Sequence, residues 1–263
     1  MFTDTHAHIY SEEFKDDLED ILLSAQEKGI KDIYMPNIDS SSIEEMLRIA
    51  ATYEGCHPLI GLHPCYVKEN YKVELQIMEQ YLEKYKFAGI GEIGIDLYWD
   101  VTFADEQMKV FRHQISMAGN AGLPFVIHSR ESLDLTIDTV AELQNGSLTG
   151  IFHCFNGTAE QARRIIDIGF YMGIGGVITY KNAGVDKVVA DVSLDHLVLE
   201  TDSPYLSPVP YRGKRNECAY LLQIADKLAE VKGVGIKEIA QITTRNAQIL
   251  FHDTPYSSLI ESL

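Results

Sequence analysis

The feature that most constrains this chain is an eightfold alternation. Short apolar runs rich in β-branched residues are separated by longer segments of helical period. The strand-like runs lie at 2–8, 31–38, 57–62, 87–95, 124–128, 150–154, 170–178 and 196–200. Between most of them the pattern is amphipathic. Phe14, Leu18, Ile21, Leu22 and Ala25 form one helical stripe that stops at Gly29. Thr158 followed by Gln161 has the spacing of a capping box, and a helix from 105 to 122 is punctuated by Gly122 and Pro124. With no linker or composition break, this alternation predicts an α/β chain folded as a single (β/α)8 TIM barrel over residues 1–263. A doubly wound open sheet competes, but no Gly-x-Gly-x-x-Gly follows the first run. A barrel makes a definite demand: the functional polar residues should sit at the C-terminal ends of its strands.

Composition narrows the partners. The formal net charge of −17 repels a nucleic-acid backbone at long range and argues against a duplex-coating protein. Bound divalent cations could reverse that sign locally. Cys56, Cys65, Cys154 and Cys218 are scattered with no CxxC, which reads as reduced thiols in a cytosolic protein. No basic or apolar leader opens the sequence and no run approaches a membrane span, so a cytoplasmic location without membrane association is expected. No obligate protein partner is evident.

The polar residues fall where a barrel wants them. The first run ends His6-Ala7-His8, and residues two apart on an extended chain face the same way, so both imidazoles can share one ion. The fourth ends Gly91-Glu92-Ile93-Gly94-Ile95-Asp96, where a carboxylate among apolar residues is costly unless paired or metal-bound. The fifth and sixth bring His128 and His153 to their ends. Cys154, beside His153, is expected to point the other way and pack. In the eighth, Glu200 and Asp202 share one face by the same two-residue period, and Pro204 leaves Asp202 at the rim. Each motif alone has an ordinary explanation: a hydrogen-bonded core histidine, a buried salt bridge, a helix cap. Together they place four histidines and two carboxylates on one rim, enough for two divalent ions with a bridging carboxylate. Mixed imidazole and carboxylate ligation suits Zn²⁺ or Mn²⁺, with Mg²⁺ where oxygens dominate.

At this point the sequence resembles the TatD family of metal-dependent deoxyribonucleases, within the amidohydrolase-type barrel superfamily. The matching blocks are Thr5-His6-Ala7-His8, Gly61-Leu62-His63-Pro64, Gly91 to Asp96, His128-Ser129-Arg130, His153-Cys154-Phe155, Glu200 to Leu206, and Arg212-Gly213-Lys214-Arg215-Asn216-Glu217. The resemblance implies that His6, His8 and Asp202 hold one metal, His128 and His153 another, and that Glu92 bridges them. Cys218 stands where the family usually has Pro, and Ile95 where it usually has Leu; neither is a presumed ligand.

The expected chemistry is phosphodiester hydrolysis by a metal-activated water, with Asp202 orienting that water and taking its proton. Glu92 stands at the catalytic centre. Arg130, Lys214 and Arg215 are candidate phosphate contacts and His63 a candidate substrate contact. The acidic total favours a single-stranded DNA end or short oligonucleotide over a long duplex. The family resemblance implies stepwise attack from a 3′ end. The alternatives are hydrolysis of C–N or C–O bonds in small molecules, deacylation of mischarged transfer RNA, or a non-catalytic binding role. Glu92 in place of the modified Lys common in small-molecule relatives, and the basic loop at 214–215, favour the phosphate substrate.

Overall fold

The computed structural model describes residues 1–251. All eight expected strands form, in chain order and all parallel: β1 (Phe2–Asp4), β2 (Ile30–Pro36), β3 (Cys56–Ile60), β4 (Gly89–Asp96), β5 (Phe125–Arg130), β6 (Gly150–Phe152), β7 (Tyr171–Ile174) and β8 (Leu197–Leu199). Helices α1 (Leu18–Glu27), α2 (Ile43–Thr52), α3 (Tyr71–Lys84), α4 (Ala104–Ala121), α5 (Leu133–Leu143), α6 (Ala159–Asp167) and α7 (Val185–Asp191) cross over between them. Two more, α8 (Leu221–Lys232) and α9 (Ile236–Phe251), follow β8. The helix ends obey local chemistry. Thr158 and Gln161 close a capping box on α6, and Gly122 ends α4 in the left-handed conformation at φ 66°.

The barrel closes between β8 and β1 just above the ladders. Ala7 bridges Ser203 in parallel, and the His8 and Asp202 amides donate to the Ser203 and His6 carbonyls at 2.7 and 2.8 Å. Buried Asp4 reinforces this seam by accepting from the Thr201 amide (2.9 Å) and hydroxyl (2.6 Å).

One apolar layer lies between barrel and helices; a second cluster fills the barrel floor. Leu59, Val126, Ile151 and Val198 pack there with Tyr34, and Ala247, Leu250 and Phe251 of α9 plug the base. Burial of each such aliphatic chain stabilises by about 1.5–3 kcal/mol. These residues also set the phase of the strands. Two positions further along, the same inward face presents Gly61, His128, His153 and Glu200. The twofold period that makes the floor apolar therefore aims the polar residues into the mouth.

Candidate active site

Glu92 is the centre of the mouth, and its two oxygens face different histidines. Oε2 lies 3.2 Å from His6 Nε2 and 3.5 Å from His8 Nε2. Oε1 lies 2.8 Å from both His128 Nδ1 and His153 Nε2, and 3.6 Å from His63 Nε2. The His6 and His8 Nε2 atoms are themselves only 3.1 Å apart, and Asp202 Oδ1 stands 3.6 Å from each. His6 also stacks on His153, ring centroids 4.0 Å apart, so the two groups touch. Glu92, His6, His8, His153 and Asp202 are all buried.

Hydrogen bonds behind the rings decide which nitrogen faces inward. The Tyr10 hydroxyl donates to the Pro36 carbonyl (2.5 Å), so it accepts from His8 Nδ1 (2.8 Å) and leaves the His8 Nε2 lone pair facing the site. Asp96 Oδ2 takes His128 Nε2 at 2.9 Å, leaving Nδ1 facing Glu92. Glu200 lies 3.5 Å behind His153 Nδ1, too long for a good hydrogen bond but a close charge contact. Its Oε1 also accepts from the Cys154 amide. Room for that carboxylate comes from Gly173, where a Cβ would sit 2.0 Å from Glu200 Oε2. His63 is the opposite case. Its Nδ1 accepts from the Cys65 amide at 3.1 Å, so in the neutral ring Nε2 carries the proton and points inward as a donor.

The charges follow from this wiring. Burial works to raise the Glu92 carboxyl, but His153, His63, His6 and the hydrogen bond from His128 together hold it well below the usual range. Burial likewise opposes charge on His128 and His153, yet the carboxylates on both sides of each ring keep their protons on more firmly than usual. Burial and His153 hold His6 well below the ordinary value, and burial brings His63 down to about 3. Asp202 is pushed up to about 6 by burial. The raised proton affinity of His128 and His153 marks a place built to hold positive charge. Buried imidazole and carboxylate donors converge in groups of three, within 4.8 Å of one another in each, and the outer nitrogens of His8 and His128 are already hydrogen-bonded; such a set suits a divalent ion.

The TatD related DNase family model matches residues 3–252. The chain belongs to the TatD family. The Bacillus subtilis (strain 168) protein named uncharacterized metal-dependent hydrolase YabD is 37% identical over 252 residues, covering 95% of this chain and 99% of that one. The crystal structure of YjjV, a TatD homolog from Escherichia coli K12, superposes with a TM-score of 0.91 at 29% identity, covering 96% of this chain and 98% of the other. An amidohydrolase from Saccharomyces cerevisiae shares the fold at TM-score 0.81 and 15% identity. The protein is a metal-dependent hydrolase of the TatD family on a TIM barrel. Among the described residues no helix is long and apolar enough to cross a membrane, and all four cysteines are free.

Within this TatD family site, several expectations need correction. Arg215, expected as a phosphate contact, has its guanidinium paired with both Asp17 carboxylate oxygens (2.9 and 2.5 Å) and lying over Phe14, tying its loop to the start of α1. Lys214 is exposed, with no side-chain partner among the described residues. Arg130 is exposed and lies over Tyr98 and Trp99. Strand alternation does not carry Glu200 and Asp202 to one face, because β8 stops at Leu199 and Asp202 has a left-handed backbone, φ 57°. Such strain in a non-glycine residue clusters at functional positions. β6 similarly ends at Phe152 and Cys154 sits at φ 48°, so the packing argument from alternation fails for it. Burial, then Asp202, Glu200 and Glu92, push its thiol well up, leaving it protonated.

Sequence alone assigns no supporting role behind the imidazoles to Tyr10, Asp96 or Glu200. Asp96 and Glu200 lie inside the matching blocks; Tyr10, two residues past His8, carries no signal separating it from core packing.

Proposed function

We propose that this TatD family hydrolase cleaves phosphodiester bonds of single-stranded DNA or short oligonucleotides, stepwise from the 3′ end. Two divalent ions (Zn²⁺, Mn²⁺ or Mg²⁺) are assigned to the mouth: one to His6, His8 and Asp202, the other to His128 and His153, with Glu92 between them. When bound, these ions supply Lewis acidity that makes a water nucleophilic near neutral pH and offsets charge growing on the phosphate.

The chain's own residues do the rest. Asp202, poised 3.6 Å from both β1 imidazoles, orients the attacking water and takes its proton. Neutral His63 donates from Nε2 to a phosphate oxygen. Asp96 and Glu200 hold the outer faces of His128 and His153 so that neither ring turns during turnover. The observation that carries the phosphate reading is charge placement. In a chain of net charge −17, Arg130 and Lys214 stand on the mouth side of β5 and β8 with no carboxylate paired to either among the described residues.

A 5′-end-labelled single-stranded oligonucleotide tests this with metal-reconstituted protein and a Glu92→Ala variant treated identically. The expected result is a ladder of stepwise shortened products that needs Mg²⁺ or Mn²⁺ and is absent in the variant. An intact oligonucleotide, with metal bound to the wild type, transfers the site to an ester or amide substrate.

A further inference from the structure

The loop leaving β4 carries the chain's single tryptophan into solvent at the mouth. Tyr98 is 54% and Trp99 68% exposed, and their rings meet edge to face with centroids 5.0 Å apart. The Arg130 guanidinium carbon lies 4.1 Å from the Tyr98 ring centre and 5.3 Å from that of Trp99. Folding tends to hide aromatic surface of this size, so two adjoining exposed rings beside an unpaired guanidinium call for an occupant.

The loop is also held in place. Asp96 Oδ1 accepts from the Tyr98 and Trp99 amides at 2.9 and 3.0 Å. Gln107 Oε1 accepts from the Asp96 amide at 2.9 Å, and Lys68 pairs with Asp100 at 2.8 Å. The other Asp96 oxygen holds His128. One buried carboxylate thus fixes the exposed rings and a candidate metal-site imidazole in a single frame.

We infer that Tyr98, Trp99 and Arg130 form a stacking platform for a nucleobase of single-stranded DNA, next to the phosphate that enters the site. This rests on the phosphodiester reading and names how the substrate is held. Every base has a π-face, so a flat aromatic and guanidinium surface binds without regard to sequence. Arg130 can keep its flat face on Tyr98 while its in-plane N–H groups meet the adjacent phosphate. An ordinary surface cation–π cluster accounts for Arg130 over both rings, but it leaves two thirds of Trp99 facing solvent.

Because Trp99 is the only tryptophan, its fluorescence reports this loop alone. Metal-loaded protein is titrated with a cleavage-resistant phosphorothioate oligodeoxynucleotide and with an abasic analogue of equal length. Binding is followed in parallel by anisotropy of a label on each strand. The base-bearing strand is expected to quench Trp99, and the abasic strand to leave it unchanged. Trp99→Ala, which keeps the amide that Asp96 holds, is expected to weaken binding of the base-bearing strand about tenfold. Binding of the abasic strand should be unaffected. Equal quenching by both strands, binding without quenching, no binding of either strand, or unchanged affinity in the variant overturns the platform. The cleavage assay separates the two readings: shortening without quenching removes the platform alone, and quenching without shortening removes the nuclease reading alone.

Discussion

On the β1–β8 flank of the site, His8 is steered by a phenol whose own proton goes to a backbone carbonyl. On the β4–β6 flank, His128 and His153 each lean on a carboxylate, Asp96 and Glu200. The β1 histidines have Asp202 in front of them; the others have their acids behind. The same ligand chemistry is thus supported in two ways. Where a carboxylate stands behind the ring, it joins Glu92 in front to make the imidazole more basic than usual. Where it stands in front, it is available to the substrate water.

The largest expected effect probes the acid in front. Asp202→Asn should lower kcat about a thousandfold, because several kcal/mol of transition-state stabilisation at ~1.4 kcal/mol per decade is lost. Single-turnover cleavage measures it, and a loss under tenfold would remove Asp202 as the base. Next is the acid behind. Asp96→Asn should weaken the ion at His128 and His153 by about 10–100-fold while sparing the ion at His6 and His8. Competitive chelation in a metal titration resolves the two, and equal weakening of both would erase the distinction between flanks.

Proton competition gives a third handle. Metal ligands must be deprotonated, so a raised pKa weakens metal binding as pH falls through it. Asp202, at about 6 rather than 3.8, begins to compete below pH 6. His128 and His153, both above the ordinary 6.5, begin to compete earlier in the descent. The ion on the β4–β6 flank should therefore be released first on acidification; loss of the other ion first would contradict the assignment.

Smaller still is Tyr10→Phe, which removes both hydroxyl hydrogen bonds; loss of the one to His8 Nδ1, about 1 kcal/mol, should weaken the β1-flank ion about fivefold. Arg215→Ala should leave turnover within about twofold and cost no more than ~1 kcal/mol in thermal unfolding. Lys214→Ala, by contrast, should raise the KM for oligonucleotide.

Most of this architecture was legible in the sequence. The eight runs and their order follow from twofold and helical periods, and the same period put His128 and His153 on the inward face. What alternation could not supply lies past the strand ends. Asp202 and Cys154 turn through left-handed backbone, so counting residues from β8 or β6 gives the wrong direction for them. Arg215 looked like a phosphate ligand because its partner, Asp17, is 198 residues away in sequence. Trp99 and Tyr98 were invisible as a pair because exposure is a property of the folded loop.

The most direct test of the account is anomalous diffraction from crystals loaded with Mn²⁺. The account predicts two peaks, one among His6, His8 and Asp202 and one between His128 and His153, each in contact with a different oxygen of Glu92. A single peak, or peaks that leave Glu92 uncoordinated, would contradict it.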